Sequence, residues 1–345
     1  MTHFWVREEA RANEARVGVT PEGVAQLMAQ GHQVSVENDP TRAIGVAGYK
    51  DIGAEIVDAG SWTLAPKDAV ICGLKELPDD GTPLRHRHIM FGHAYKGQAE
   101  GAVLLERFKQ GGGTLFDLEY LTNQNGRRVA AFGVWAGFAG AAVSLQAWGA
   151  QQRGEACPPG RVYQSSDEMT SVVGDELDGG TPTVIIIGAL GRVGSGARDL
   201  CKRLGLTVTE WDIAETASGG PFPEILDHDV FLNCILASPG VPVFVPASAL
   251  TAKRRLSVIG DIACDPSSDF SPIKVYDNVT TWDAPAFTAC EDPALQVMAI
   301  DNLPSMLPAE ASEDFASQLL PHILTFDADP EGVWGRAEAI FRRHL

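Results

Sequence analysis

Short apolar runs recur along the chain, and most stop at a polar or ionisable residue. Residues 3–7 form the first. Ala69-Val70-Ile71-Cys72-Gly73-Leu74 ends at Lys75 and Glu76, Ile89-Met90-Phe91-Gly92 ends at His93, and Gly113-Thr114-Leu115-Phe116 ends at Asp117. Later runs fall at residues 184–187, 206–211, 230–236, 256–262 and 296–300. Runs this short, bounded by polar residues, predict strands buried on both faces, as in parallel sheets. Helical patterns lie between them. Thr20 and Pro21 are the residue types of an N-cap and a first turn, so a helix is predicted to about residue 30, followed by a strand at 32–37. Further helical stretches fall at residues 49–52, 98–110, 167–177, 309–320 and 331–345. On the last of these Trp334, Ala337, Ile340 and Phe341 make an apolar stripe of the core-packing kind. The alternation predicts an α/β chain with doubly wound sheets.

Two stretches break the rhythm. Residues 129–151 carry no charge and place Gly133 and Gly137 at GxxxG spacing. Gly, Ala, Ser and Gln dilute the hydropathy, so a buried helix packed closely through its glycines is preferred to a membrane span. Residues 150–183 are polar and rich in Gly and Pro, which predicts a connection holding one short helix.

Composition changes this picture little, whereas charge narrows the partners. The 345 residues have ample core for two domains, and the net charge of −18 argues against nucleic acid or an anionic membrane surface. Six cysteines are scattered singly, without the spacing of a zinc site or a disulfide framework, so no metal is expected. Residues 1–9 lack an apolar h-region and carry acids early, so the expectation is a protein of the reducing cytoplasm.

The candidate chemistry follows from where the strands stop. In open parallel sheets ligands gather outside the carboxyl ends of the strands, where Lys75 and His93 would meet. Glu76, Glu119 and Lys96 would lie close by. Taken one at a time, each is as readily a residue that begins a surface loop. Arg16, in a loop before a helix, is of the type that clamps a carboxylate in bidentate fashion, or is simply solvated. The sharpest local signal is Val184-Ile185-Ile186-Ile187-Gly188-Ala189-Leu190-Gly191-Arg192-Val193-Gly194. A buried strand runs through a glycine turn into a helix, and a second strand ends at Asp212. Such a unit binds a dinucleotide: glycines admit the pyrophosphate, the helix N-terminus favours its charge, and the acid takes the ribose hydroxyls. The spacing is a GxxGxxG variant. Asp212 would repel a 2′-phosphate, which selects NAD over NADP.

These motifs together resemble a known family. Glu14-Ala15-Arg16-Val17 before Thr20-Pro21, Leu74-Lys75-Glu76, and His93 after a strand are similar to the alanine dehydrogenase and transhydrogenase family. Within it, several longer motifs resemble the lysine-forming saccharopine dehydrogenases. They are Gly92-His93-Ala94-Tyr95-Lys96-Gly97-Gln98, Asp117-Leu118-Glu119-Tyr120-Leu121, Gly126-Arg127-Arg128-Val129, Gly188-Ala189-Leu190-Gly191-Arg192 and Ile300-Asp301-Asn302-Leu303-Pro304-Ser305. The resemblance spans almost the whole chain.

It implies two Rossmann-like α/β domains with a cleft between them. Residues 1–132 with 308–345 would hold the substrate and the catalytic groups, the C-terminal helices returning to the first domain, and residues 133–307 would hold NAD. By resemblance, Lys75 and His93 are the acid-base pair. Arg16, Lys96, Gln98, Arg128, Glu76, Glu119 and Asp301 bind or tune the substrate. Arg192, Val193, Cys234, Asp301 and Leu303 join Gly188, Gly191, Gly194 and Asp212 around the cofactor. The implied reaction converts saccharopine, NAD and water to lysine, 2-oxoglutarate and NADH in a monomeric enzyme. Alanine dehydrogenase or opine-type activity is the alternative within the scaffold, and a catalytically silent NAD-binding regulator is the alternative of another class.

Overall fold

The computed structural model describes residues 1–96, 99–329 and 331–345, and the chain divides into two compact units. The first comprises Met1–Ala131 with Pro308–Leu345, and the second is Phe132–Leu307.

In the first unit the elements run β1 (His3–Val6), α1 (Pro21–Ala29), β2 (Gln33–Glu37), α2 (Val46–Asp51), β3 (Glu55–Val57), β4 (Val70–Cys72), β5 (Arg87–Met90), α3 (Ala99–Gly111) and β6 (Thr114–Asp117). Thr20 starts α1 as read from the sequence, its hydroxyl accepting from the Gly23 amide, with Pro21 in the first turn. The six strands pair in parallel in the order β3-β2-β1-β4-β5-β6. The order reverses between β1 and β4. That is the topological switch point, where an open parallel sheet presents its ligand crevice. Val70, Ile71 and Cys72 are all buried, which is why this strand reads as an unbroken apolar run.

The second unit begins with α4 (Gly133–Arg153) and α5 (Ser166–Leu177), followed by β7 (Val184–Ile187), α6 (Arg192–Arg203), β8 (Val208–Trp211), α7 (Ile213–Thr216), β9 (Val230–Asn233), β10 (Val258–Asp261), β11 (Ala286–Glu291) and β12 (Ala294–Met298). Its sheet order is β11-β12-β10-β9-β7-β8, parallel except for the β11–β12 pair. The switch point here lies between β7 and β9. The uncharged helix is α4, buried along most of its length. A Cβ on Gly137 would lie 1.8 Å from the Val193 carbonyl oxygen, and one on Gly196 1.8 Å from that of Val134. Glycine therefore sets the separation of α4 and α6. No helix among the described residues is long and apolar enough to cross a membrane.

The chain returns through α8 (Pro308–Ile323) and α9 (Val333–His344) to the first unit. The apolar stripe of α9 is core. Trp334 meets Phe116 of β6 edge-on, Phe341 meets Phe108 of α3, and only Ile340 of the four is not fully buried.

Candidate active site

Three strand ends of the first unit supply the ionisable groups. β4 stops at Cys72, so Gly73 and Leu74 carry the chain to Lys75. β5 stops at Met90, which puts Phe91 and Gly92 before His93. The two segments are joined by hydrogen bonds from Gly73 N–H to the Ile89 carbonyl at 3.0 Å and from Phe91 N–H to the Leu74 carbonyl at 2.9 Å. Both strands run parallel, so Lys75 and His93 leave the same edge of the sheet. The strands are shorter than the apolar runs predict, although main-chain hydrogen bonds continue between the two segments beyond Cys72 and Met90.

Lys75 lies among charges from the loop after β1. Burial lowers its ammonium pKa from the usual lysine range, and the Arg16 and Arg11 guanidiniums lower it further against the pull of Glu14 and Glu76. Glu76 is more exposed and pairs with Arg11 at 3.7 Å. Arg16 is buried and its fork is given to Glu14: Nε at 2.8 Å and Nη2 at 2.6 Å reach the two carboxylate oxygens, one of which also accepts the Arg16 amide at 3.1 Å. Burial opposes the charge on Glu14, yet these bonds hold its carboxyl below the ordinary range. The expected bidentate grip on a substrate carboxylate is therefore, in this conformation, a grip on Glu14.

His93 belongs to a second cluster. Its backbone φ is +49°, the left-handed region that a non-glycine residue rarely occupies and that is concentrated at functional positions. Its ring stacks on Phe91, and Nδ1 lies 3.5 Å from a Glu119 carboxylate oxygen. The other oxygen of Glu119 accepts from Lys96 Nζ at 2.9 Å and from Arg128 Nη2 at 2.8 Å. These partners, His93 foremost, hold the Glu119 carboxyl down to about 2. Asp117 is fully buried beneath, and burial raises its pKa. Gly92 leaves the room, since a Cβ there would come 2.6 Å from Leu115 and 3.2 Å from Asp117. The charges acting on Lys75 are those of Arg16, Glu14, Arg11 and Glu76, and those gathered at His93 are Glu119 with Lys96 and Arg128. Gln98 lies outside the described residues.

Sequence reasoning passed over Arg7 and Glu9, which follow β1. Both side chains are buried, at 1% and 5% exposure, and pair at 3.3 Å. Acids and bases right after a buried strand were the available signal, the same one that drew attention to Lys75.

In the second unit the glycine turn has the shape a dinucleotide requires. Gly188 has φ +87°, and a Cβ on Gly194 would lie 2.2 Å from the Gly188 carbonyl oxygen, so the helix starts flush against the strand. Gly191 caps α6 in extended conformation and is exposed, leaving backbone open to close approach at the helix N-terminus. Arg192 and Val193 begin that helix. Asp212 follows β8, its carboxylate accepting from the Leu190 and Ile213 amides at 2.9 Å each, with lone pairs remaining for further donors. Cys234 follows β9 across the switch point, where a Cβ on Gly188 would come 3.1 Å from its carbonyl. These residues fit a dinucleotide. Asp301 is exposed just after the buried Ile300, whereas Leu303 is 1% exposed, its side chain part of the core. Among the described residues no cluster of metal-ligating side chains occurs.

Comparison with known proteins gives the family and the fold. The family model "Alanine dehydrogenase/PNT, N-terminal domain" matches residues 5–139. Saccharopine dehydrogenase [NAD(+), L-lysine-forming] of Yarrowia lipolytica is 43% identical across 99% of this chain and 96% of its own. The enzyme of the same description from Neurospora crassa is also 43% identical, across 99% and 95%. The chain belongs to the lysine-forming saccharopine dehydrogenase family. The fold of this family member is also that of a solved L-alanine dehydrogenase, with a TM-score of 0.70 at 17% identity over the full length of both chains. A transhydrogenase from Sinorhizobium meliloti superposes with a TM-score of 0.65 at 18% identity, covering 97% of each chain.

Proposed function

We propose that this chain oxidises the secondary amine of saccharopine, releasing lysine and 2-oxoglutarate, with NAD as hydride acceptor and water as co-reactant. The observation that carries the reading is the near full-length identity to enzymes of that description. The ionisable strand ends of the first unit support it. The first unit is assigned to the substrate and the second to the cofactor.

A protonated secondary amine cannot lose hydride from its α-carbon, so a base must first take the ammonium proton. Lys75 Nζ is suited to that task because burial and the neighbouring guanidiniums favour its neutral form. After hydride has passed to NAD, water must add to the imine and the carbinolamine must collapse with a proton delivered to the departing amine. His93 is assigned these transfers. Glu119 stays ionised beside its ring, and Lys96 and Arg128 keep that carboxylate in place. Arg16 acts on Lys75 through its charge. Glu76 sets the local potential, and Gln98 and Asp301 complete the substrate-binding set by resemblance alone. Gly188, Gly191, Arg192, Val193, Gly194 and Asp212 would hold the dinucleotide, joined by Cys234, Asp301 and Leu303, whose contribution is assigned to its main chain.

A cytoplasmic monomer that binds neither nucleic acid nor membrane completes the proposal. Six free cysteines, the net charge of −18, and exposed apolar side chains drawn from different segments, such as Leu64, Val103 and Phe270, support it. The decisive assay follows NADH consumption with lysine plus 2-oxoglutarate against pyruvate plus ammonia. Turnover confined to the first pair is expected. Turnover with the second pair alone would transfer the chain to alanine dehydrogenase activity, and NADH binding without turnover on any pair would make it a silent binder.

A further inference from the structure

We infer that Glu9 and Arg7 are positioning residues that aim Lys75, by gripping its main chain from both sides. The inference rests on the reading of Lys75 as an acid-base group and adds to it. One oxygen of the Glu9 carboxylate accepts the Leu74 amide at 2.7 Å and the other accepts the Lys75 amide at 2.9 Å. Arg7 donates through Nη2 to the Lys75 carbonyl and through Nη1 to the Glu8 carbonyl, and the same Nη1 pairs with Glu9. Both main-chain polar groups of Lys75 are therefore held, and with them the direction of its Cα–Cβ bond. Lys75 itself lies outside the β ladder, so the sheet does not set that direction.

The surrounding packing is built around the grip. A Cβ on Gly73 would lie 2.3 Å from Arg7 Nε, so only glycine leaves space for the guanidinium to pass under the turn to the Lys75 carbonyl. Burial raises the pKa of the Glu9 carboxyl, while Arg7 and the two amides oppose that and favour the ionised form that can accept both bonds. Neither side chain faces solvent. A buried ion pair contributes little net stability against a well-packed apolar substitute, which leaves orientation as the property it supplies here. Misplacing a reacting group by about 1 Å costs about 100-fold in rate.

The test is a double-mutant cycle with kcat and KM read separately. Glu9→Gln keeps one acceptor oxygen and turns an amide donor towards the second main-chain N–H. It should lower kcat about 10- to 100-fold while leaving KM for NAD near that of the parent. In a Lys75→Met background the same change should lower kcat less than about 2-fold, because the group being aimed is gone. Glu9→Asp keeps the charge but withdraws it by one methylene, and should give a smaller loss of the same kind if Glu9→Gln does not fold. Parental kcat in a folded Glu9 variant overturns the clamp, as does a loss that persists undiminished beside Lys75→Met. If Lys75→Met alone keeps parental turnover, the catalytic reading of Lys75 fails as well, a result distinct from failure of the clamp.

Discussion

At the residue scale, two ionisable side chains are assigned different chemical work because their surroundings differ. Lys75 is largely buried among cationic neighbours, whereas His93 is exposed and backed by one well-anchored carboxylate. Lys75→Met and His93→Gln should each lower turnover by about 10²- to 10⁴-fold, and NADH binding measured by fluorescence should stay near parental. The pH profile separates them further. In the parent, the group that must lose a proton should titrate below the 10.5 of an ordinary lysine, and that limb should vanish in Lys75→Met. Glu119→Gln removes the carboxylate shared by His93, Lys96 and Arg128, leaving three cationic or polar groups facing one another. A fall in kcat larger than any change in the KM for NAD is the expected outcome in steady-state assays.

At the scale of the element, glycine positions carry opposite predictions according to what a methyl group would meet. Gly137 of α4 faces the backbone of α6, so Gly137→Ala must push two helices apart. The loss should be about 1–3 kcal/mol in denaturant unfolding. Gly174 of α5 would place its Cβ at an ordinary 3.5 Å from Leu204, so Gly174→Ala should gain up to about 1 kcal/mol from helix propensity. The two strands that the hydrophobic pattern missed share a physical cause. β3 and β11 lie at sheet edges, and their side chains are only partly covered, so neither presents an unbroken buried run. β6 is also an edge strand but is legible, because α9 covers it and three of its four residues are buried.

At the scale of the whole molecule, acid stability should be limited by a histidine outside the site. His88 is fully buried in β5 between Trp62 and Phe108, and burial holds its pKa well below 6.5. A folded-state pKa depressed in this way favours the neutral ring. Its stabilisation is complete above the unfolded value of about 6.5 and is lost as pH falls from there towards the folded value. Asp261 opposes this. Burial raises its carboxyl to about 6, so its contribution is present at low pH and lost as pH rises through about 6. His88→Phe removes the first titration while filling the same aromatic slot. Thermal melts should show the variant gaining on the parent at about pH 5 relative to about pH 8. An unchanged difference between the two pH values would discount His88 as the acid-labile point.

Much of this was determined by the sequence alone, because it depends on local periodicity and on residue type. Buried parallel strands must be apolar throughout, the glycine turn needs its glycines wherever the strand is placed, and α4 can be free of charge only if it is enclosed. Motif order was enough to indicate the family. Which strand ends share a crevice was decided only by tertiary structure, because β1 and β4 become neighbours through a reversal of strand order that no local pattern encodes. That reversal brings Arg7 and Glu9 to Lys75, whereas the pairing of Arg16 with Glu14 is made within one loop. The partners of a charge are fixed by where the chain returns, and its residue type states only that it needs some.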